Sequence, residues 1–155
     1  AQNIRIGNGQ IIFDFVTPKE TIKDIELGVP VKINIENSIA AMAIAWLNGV
    51  SATDIKNAIA SFQGAKRRFD FWIKRDDLVM IDDYAHHPDE IKASISSVKE
   101  LYPEKKISVI FQPHLYTRTR DFAPQFAKAL SLADELILLD IYPARKNRFR
   151  VSRPK

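Results

Sequence analysis

The chain lacks cysteine and has little glycine. Its 155 residues include 0 Cys, which excludes a disulfide framework, a thiolate metal site and a cysteine nucleophile. No run of 18 or more apolar residues occurs, so no transmembrane helix is expected. Residues 1–5 carry no basic-then-apolar leader. These absences predict a soluble protein of a reducing, cytoplasmic compartment.

Two motifs of phosphate and ester chemistry are also missing. The 5 glycines form neither a Gly-x-x-x-x-Gly-Lys-Ser/Thr loop nor a Gly-x-Gly-x-x-Gly turn before a helix. No Gly-x-Ser-x-Gly elbow is present, which disfavours a hydrolase of that class. The chain therefore has no cradle of its own for a triphosphate.

The composition is that of a globular protein with a basic tail. Hydrophobic residues make up 46% of the chain and charged residues 27%, too apolar for intrinsic disorder. The net charge is +4, but residues 145–155 hold six bases and no acid, which leaves 17 bases against 19 acids in residues 1–144. A basic folded surface for nucleic acid is therefore disfavoured. A non-catalytic binding module whose tail contacts RNA remains the alternative of another class.

The first third of the chain reads as a hairpin followed by two helices. Strand-like residues 3–6 and 10–16 flank Gly7-Asn8-Gly9, a turn sequence typical of a β-hairpin. Residues 17–31 are expected to be a loop with an extended segment. Apolar residues then recur at helical spacing, with Asn34 as the expected N-cap of one helix and Ser51 as that of the next.

The remainder alternates between apolar strands and amphipathic helices. Strands are predicted over residues 69–74, 78–81, 107–111 and 136–139, and helices over 88–101 and 121–133. Continuous apolar strands separated by amphipathic helices are typical of an α/β fold with a mainly parallel sheet and helices on both faces.

Polar side chains follow three of the predicted strands. They occupy residues 82–88, 112–120 and 140–145, and all three His of the chain lie in these segments. Ligands of open α/β sheets bind at the carboxyl ends of strands. The pattern therefore predicts a small anion-binding site at this edge of the sheet.

Purely structural roles remain open for the same residues. Asp82 could cap or pair with a base, and Asp83 could form an Asx turn. His86 and His87 are adjacent and cannot both face one point from an extended backbone, so a two-His metal site is disfavoured. One of them is expected to bond to backbone instead.

Two groups of basic residues have alternative interpretations. Arg118 and Arg120 are expected near the start of the helix at 121–133, where the helix dipole disfavours cations unless an anion binds between them. They could instead be surface arginines. Lys66-Arg67-Arg68 is either a solvated basic turn or an arm that reaches a phosphate.

The motifs together resemble those of the Mur ligase family. Residues 64–69, 82–88, 111–120 and 140–145 resemble the C-terminal domain of that family, and residues 34–41 resemble its Asn-x-x-Asn-x-x-Ala-Ala helix. The resemblance implies that residues 1–62 end a central ATP-binding domain. It also implies that residues 63–155 form most of a Rossmann-like, amino-acid-binding domain. Because the chain opens with Ala1, we expect a fragment of a longer protein.

The resemblance implies an ATP-dependent amide-bond ligase of peptidoglycan synthesis. Gln112-Pro113-His114 points to the member that joins L-alanine to UDP-N-acetylmuramate through an acyl phosphate. A ligase that attaches a ready-made tripeptide to the same sugar nucleotide during recycling is the alternative. ATP and Mg2+ are the implied cofactors, held mainly by parts of the parent protein outside this chain. The isolated fragment is therefore expected to be inactive.

Individual roles follow from the resemblance. Asn34 and Asn37 match positions that meet the adenine, Arg68 matches a catalytic arginine that reaches the ATP phosphates, and Asp83 matches an acid near the ribose. No metal ligand is implied on this chain. The residues that match positions around the incoming amino acid are Tyr84, His86, His114, Arg118 and Arg145.

Some positions depart from the family pattern. Ile33 and Leu115 stand where many relatives have His and Arg, and Lys146 stands where Glu is usual. The Leu115 departure implies a one-armed carboxylate clamp. Residues 147–155 resemble nothing in the family, so the basic tail is expected to be a truncated or altered terminus.

Overall fold

Seven strands and five helices lie within residues 1–143, the part of the chain that this computed structural model describes. The strands are β1 (Gln2–Gly7), β2 (Gln10–Val16), β3 (Thr21–Glu26), β4 (Asp70–Lys74), β5 (Val79–Asp82), β6 (Ser108–Phe111) and β7 (Glu135–Leu138). The helices are α1 (Lys32–Leu47), α2 (Ala52–Ser61), α3 (Pro88–Leu101), α4 (Tyr116–Asp121) and α5 (Ala123–Leu130). The α/β class expected from the sequence is confirmed.

The N-terminal strands form a three-stranded antiparallel sheet in the order β1-β2-β3. The predicted hairpin is present, and its turn places Asn8 at φ 50° and Gly9 at φ 72°, the left-handed geometry of a two-residue hairpin turn. The extended segment expected within residues 17–31 is β3. It pairs with β2 from Ile12 opposite Glu26 to Val16 opposite Thr21.

Helices α1 and α2 follow the sheet. The predicted cap of α2 is confirmed, because the Ser51 hydroxyl accepts a hydrogen bond from the Asp54 N–H at 3.1 Å. The predicted cap of α1 is wrong. The helix begins at Lys32 after Val31, and the Asn34 N–H donates to the Val31 carbonyl at 2.8 Å. Asn34 therefore lies in the first turn, where its side chain is free to face a neighbouring loop.

The second half of the chain contains two separate strand pairs. β4 and β5 form an antiparallel hairpin, whereas β6 and β7 are parallel. Within residues 1–143, β5 is not hydrogen-bonded to β6, and the two face each other across a cavity of about 430 Å³. The expected mainly parallel arrangement is therefore corrected: the strands of residues 1–143 are mixed in direction, and among the paired strands β6–β7 is the parallel pair.

The helix predicted over residues 121–133 is divided in two. α4 ends at Asp121 and α5 begins at Ala123, on either side of Phe122 at φ −113°. Pro124 explains the division, because it has no N–H to continue a helix and is favoured in a first turn. The polar segment after β6 is therefore itself partly helical.

The helices α3 and α5 cover one face of β6. Ile95 of α3 and Phe126 of α5 pack in a single cluster with Val109 and Phe111. On the opposite face Ile110 is 67% exposed. The expected cover of helices on both faces is therefore not present around β6 within the described residues.

The main hydrophobic core crosses the expected domain boundary at residues 62 and 63. Phe13 and Ile25 of the first sheet are fully buried, and their cluster includes Phe69 before β4 and Leu101 at the end of α3. The backbone N–H of Gly9 also donates to the Leu101 carbonyl at 3.0 Å. The two segments thus share one core, and their division into domains remains a prediction.

Candidate functional site

A small cavity lies beside the first turns of α1. It has a volume of about 250 Å³, and its lining is mostly apolar apart from Asn34, Asn37 and Ser38. Asn34 donates from Nδ2 to the Val29 carbonyl at 3.0 Å, and Asn37 donates from Nδ2 to Asn34 Oδ1 at 3.2 Å. The spacing of three residues places both amides on one helix face. The cavity therefore combines an apolar lining with two linked amides.

Gly28 closes one side of this cavity. Its N–H donates to the Ile59 carbonyl at 3.1 Å. A Cβ at this position would lie 2.8 Å from the Ala60 carbonyl oxygen and would overlap that of Phe62. The loop after β3 can approach the end of α2 only because residue 28 has no side chain.

The loop after β5 is held by its own acidic residue. Asp83 Oδ1 accepts a hydrogen bond from the Ala85 N–H at 3.2 Å, the Asx turn considered for this position, and Asp83 Oδ2 accepts one from the Ser94 hydroxyl at 2.7 Å. The Tyr84 ring lies beside the His86 ring, with centroids 5.2 Å apart. His86 Nδ1 lies 3.1 Å from the Tyr84 carbonyl oxygen. Both rings are thereby held at the carboxyl end of β5.

The two adjacent histidines have separate structural tasks. His87 is the N-cap of α3, and its Nδ1 accepts a hydrogen bond from the Asp89 N–H at 3.4 Å. Glu90 closes the capping box by accepting the backbone N–H of His86 at 2.9 Å and that of His87 at 3.1 Å. These N–H groups, that of His86 above all, hold the pKa of Glu90 below its usual value. One of the two rings was expected to bond to backbone, and both do: His86 to the Tyr84 carbonyl and His87 to the Asp89 N–H.

The loop after β6 brings His114 and Arg118 together. Arg118 Nη2 donates to the His114 carbonyl at 3.0 Å and lies 3.3 Å from His114 Nδ1. The His114 ring stacks on Tyr142, which follows β7, with centroids 5.7 Å apart and planes inclined by 14°. Leu115, which follows His114 in the chain, has φ 73°, a strained conformation for a residue with a Cβ. The loops after two neighbouring strands therefore meet as predicted.

Arg118 and Arg120 lie shortly before the start of α5, within a separate short helix. Both lie in the last turn of the six-residue α4, where the helix dipole favours cations. Arg120 pairs with Asp121, with Nε 2.8 Å from Oδ1, whereas the Nε of Arg118 is buried without a hydrogen-bond partner among the described residues. Arg118 is thus the arginine directed inwards, and Arg120 is directed outwards.

An aromatic contact connects the loop after β5 with the segment that follows β6. The ring centroids of His87 and Phe122 lie 5.1 Å apart. Within residues 1–143 no hydrogen bond joins Tyr84 or His86 to His114 or Arg118. The predicted site residue Arg145 and the tail at 146–155 lie outside the described residues. The observed cluster therefore consists of two neighbouring halves.

Three residues without a role predicted from the sequence shape the site. Ser94 anchors Asp83 from the second turn of α3, and Gly28 makes the cavity beside Asn34 possible. Tyr142 provides the ring on which His114 stacks. Of these three, only Tyr142 could have been found from the sequence, since it lies among the polar residues after a predicted strand. Ser94 and Gly28 act through contacts distant in sequence.

The described part of the chain contains neither a grouped set of metal ligands nor a membrane-spanning helix. Among residues 1–143, no three His, Asp or Glu side chains are grouped as a metal ion requires. None of the described helices is both long and apolar enough to span a bilayer.

Comparisons with known proteins agree with the arrangement of the motifs. The curated UDP-N-acetylmuramate–L-alanine ligase of Parabacteroides distasonis is 67% identical over 146 residues, which cover 94% of this chain and 32% of that protein. The corresponding ligase of Phocaeicola vulgatus is 61% identical over the same length. The chain thus spans about a third of the curated relatives that it matches.

Structural similarity leads to the same group of proteins. The crystal structure of UDP-N-acetylmuramate-alanine ligase from Thermotoga maritima superposes with a TM-score of 0.70 and 30% identity, over 90% of this chain and 31% of that one. The family model described as "Mur ligase, glutamate ligase domain" matches residues 67–152, more than half of the chain. The chain therefore belongs to the Mur ligase family.

Proposed function

We propose that the chain is the amino-acid-receiving part of an ATP-dependent ligase that joins L-alanine to UDP-N-acetylmuramate. The observation that carries this proposal is the pairing of Arg118 with His114 at the carboxyl end of β6. A guanidinium held in this way has further N–H groups for a carboxylate. The relatives named for this reaction support the choice of substrate.

The chemistry is a two-step acyl transfer. The carboxylate oxygen of the sugar nucleotide attacks the γ-phosphorus of ATP, and ADP leaves. The amine of L-alanine then attacks the carbonyl carbon of the acyl phosphate, loses a proton and expels inorganic phosphate as the amide forms. In this chain, Arg68 would offset charge on the phosphates, and Arg118 would hold the alanine carboxylate.

The cavity beside α1 suits the base of ATP. Its apolar walls and the linked amides of Asn34 and Asn37 are the features that bind a flat heteroaromatic ring. Asp83 would meet the ribose, although its two oxygens already accept bonds from Ala85 and Ser94. Mg2+, when bound, would offset the negative charge of the phosphates. Because the described residues group no metal ligands, we place no magnesium contact on this chain.

The remaining assignments place the amino acid between the two loops. Tyr84 and His86 would contact it from the loop after β5, and His114 and Arg118 from the loop after β6. Arg145 is retained as a further contact by resemblance alone. A site built on two loops would let the amine reach the acyl phosphate only when both loops are in place.

The test is substrate-dependent phosphate release by the full-length ligase that contains this chain. We expect release with ATP, UDP-N-acetylmuramate and L-alanine, and none when L-Ala-γ-D-Glu-meso-diaminopimelate replaces L-alanine. The reverse preference would favour the recycling ligase, and release with neither would refute the proposal. The 155-residue chain alone is expected to release no phosphate, because it has no Gly-rich triphosphate cradle.

Variants divide the roles. Arg118→Lys is expected to raise the KM for L-alanine by about tenfold, since a charge-assisted hydrogen bond is weakened. Arg120→Lys is the matched control, because Arg120 is exposed and paired with Asp121. Asn37→Ala is expected to raise the KM for ATP roughly fivefold without changing that for L-alanine. An equal effect of both arginine variants would contradict the assignment of Arg118.

A further inference from the structure

Two adjacent arginines before β4 have different surroundings. The Arg67 Cζ lies 4.6 Å from the centroid of the Tyr84 ring, and its Nε lies 3.9 Å from Asp82 Oδ2. For Arg68, the hydrogen bond found in the described residues uses the backbone, from its N–H to the Ala65 carbonyl at 3.1 Å. The Arg67 side chain is therefore engaged within the protein, whereas that of Arg68 is left for a ligand.

The backbone of Arg67 is attached to the same loop as its side chain. Its carbonyl accepts the Tyr84 N–H at 2.7 Å, and its own N–H donates to Asp70 Oδ2 at 3.4 Å. Arg67 has φ 60°, which is unfavourable for a residue with a Cβ and persists only where surrounding contacts impose it. These contacts fix the start of the loop after β5 relative to Arg68.

The contact with Arg67 extends to a second ring. Tyr84 is 44% exposed, so its ring is held mainly by the few side chains that contact it. One face interacts with the Arg67 guanidinium, and His86 lies beside the ring with its Nδ1 bonded to the Tyr84 carbonyl. A cation over an aromatic ring is a directional attraction. Loss of that cation would free the Tyr84 ring to turn away from the His86 ring, which is held separately by the Tyr84 carbonyl and by Glu90, whose Oε2 lies 3.3 Å from His86 Nδ1.

We propose that Arg67 is a positioning residue, which holds the Tyr84 ring beside the His86 ring in the orientation that receives the amino acid. It acts on the amino-acid half of the site, and Arg68 acts on the phosphate half. The effect of Arg67 on catalysis rests on the proposed function. Its effect on the Tyr84 ring concerns contacts within the chain alone. The two parts are therefore tested separately.

The structural part is tested by NMR spectroscopy on the 155-residue chain. In the wild type, the rings of Tyr84 and His86 should give a nuclear Overhauser effect at their 5.2 Å centroid separation. We expect Arg67→Gln to abolish it and Arg67→Lys to retain part of it, because an ammonium also attracts the ring face. Arg75→Gln is the matched control: Arg75 has the same 62% side-chain exposure as Arg67 and pairs with Asp77 instead. An unchanged effect in a folded Arg67→Gln chain would overturn the proposal.

The catalytic part is tested in the full-length ligase. Arg67→Gln should raise the KM for L-alanine about fivefold, corresponding to the loss of a partly exposed cation–π contact, and should leave the KM for ATP unchanged. Arg67→Lys should fall between wild type and Arg67→Gln, and Arg75→Gln should match wild type. A rise in the KM for ATP alone would overturn the positioning role. If the wild-type ligase does not use L-alanine, the proposed function fails, and the NMR result decides the role of Arg67 by itself.

Discussion

The substitution Gly28→Ala tests how the cavity beside α1 is built. A methyl group at residue 28 would overlap the Phe62 carbonyl oxygen and lie 2.8 Å from that of Ala60, whereas favourable C···O contacts begin at about 3.3 Å. Both obstructing atoms belong to the backbone, so no side-chain rotation can relieve the overlap. In the variant, the loop after β3 and the end of α2 must separate. This movement would strain the hydrogen bond from the residue 28 N–H to the Ile59 carbonyl.

The expected cost lies at the upper end of the range for overpacking, about 3 kcal/mol in the free energy of unfolding. For a chain of this length that corresponds to a fall in Tm of roughly 6–12 °C. The measurement is thermal unfolding of the 155-residue chain followed by circular dichroism. Because the same movement opens the cavity that contains Asn34 and Asn37, adenine nucleotides should also bind more weakly to the variant.

Gly49→Ala is the matched control for this prediction. Gly49 has φ 81°, and a Cβ there would meet no atom within 4 Å. Its cost is therefore that of a left-handed backbone, about 1–2 kcal/mol, partly offset because alanine restricts the unfolded chain. If Gly28→Ala destabilised the chain no more than Gly49→Ala, the argument from close backbone approach would be refuted.

Substitutions at three further positions test the packing of α3 against α5, the N-cap of α2 and the carboxylate of Glu90. Ile95→Ala should lower the free energy of unfolding by about 2–5 kcal/mol, because Ile95 is buried between α3 and α5; a loss below that range in urea denaturation would contradict its core position. Ser51→Ala should cost about 1 kcal/mol through loss of the Asp54 N–H bond, whereas Ser51→Asn should retain most of the stability. The pKa of Glu90 is lower in the folded chain than its usual value of 4.5, so the ionised carboxylate stabilises the fold at any pH above 4.5. This contribution is lost as the pH falls through the lower folded-state pKa. Glu90→Gln should therefore flatten the stability profile below about pH 4.5, and an unchanged acid limb would exclude the capping box as its source.

Local patterns predicted most of the elements in this chain. The hairpin turn, the Ser51 cap and the full extent of α3 each depend on neighbours within a few residues, and these predictions are confirmed. The start of α1 was misplaced because Asn34 is a good cap by residue type. In the structure its side chain instead bonds to Val29, a loop contact that periodicity does not report.

Features set by distant contacts could not be predicted in the same way. Apolar strands indicated a sheet but not the direction or partners of its strands, so the lack of pairing between β5 and β6 was not foreseen. At the site, strand ends predicted that the loops after β6 and β7 would meet, as His114 and Tyr142 do. They could not distinguish the inward Arg118 from the outward Arg120, since that depends on how α4 is divided from α5 at Phe122.

The core shared by the first sheet and the end of α3 has a consequence for how the chain unfolds. A protease cut in the connection between α2 and β4 would leave each piece with half of a cluster that includes Phe13 on one side and Leu101 on the other. Neither half could bury its apolar surface alone. The chain should accordingly melt in one cooperative transition, and the two segments should act as a single mechanical body rather than as independently folding modules.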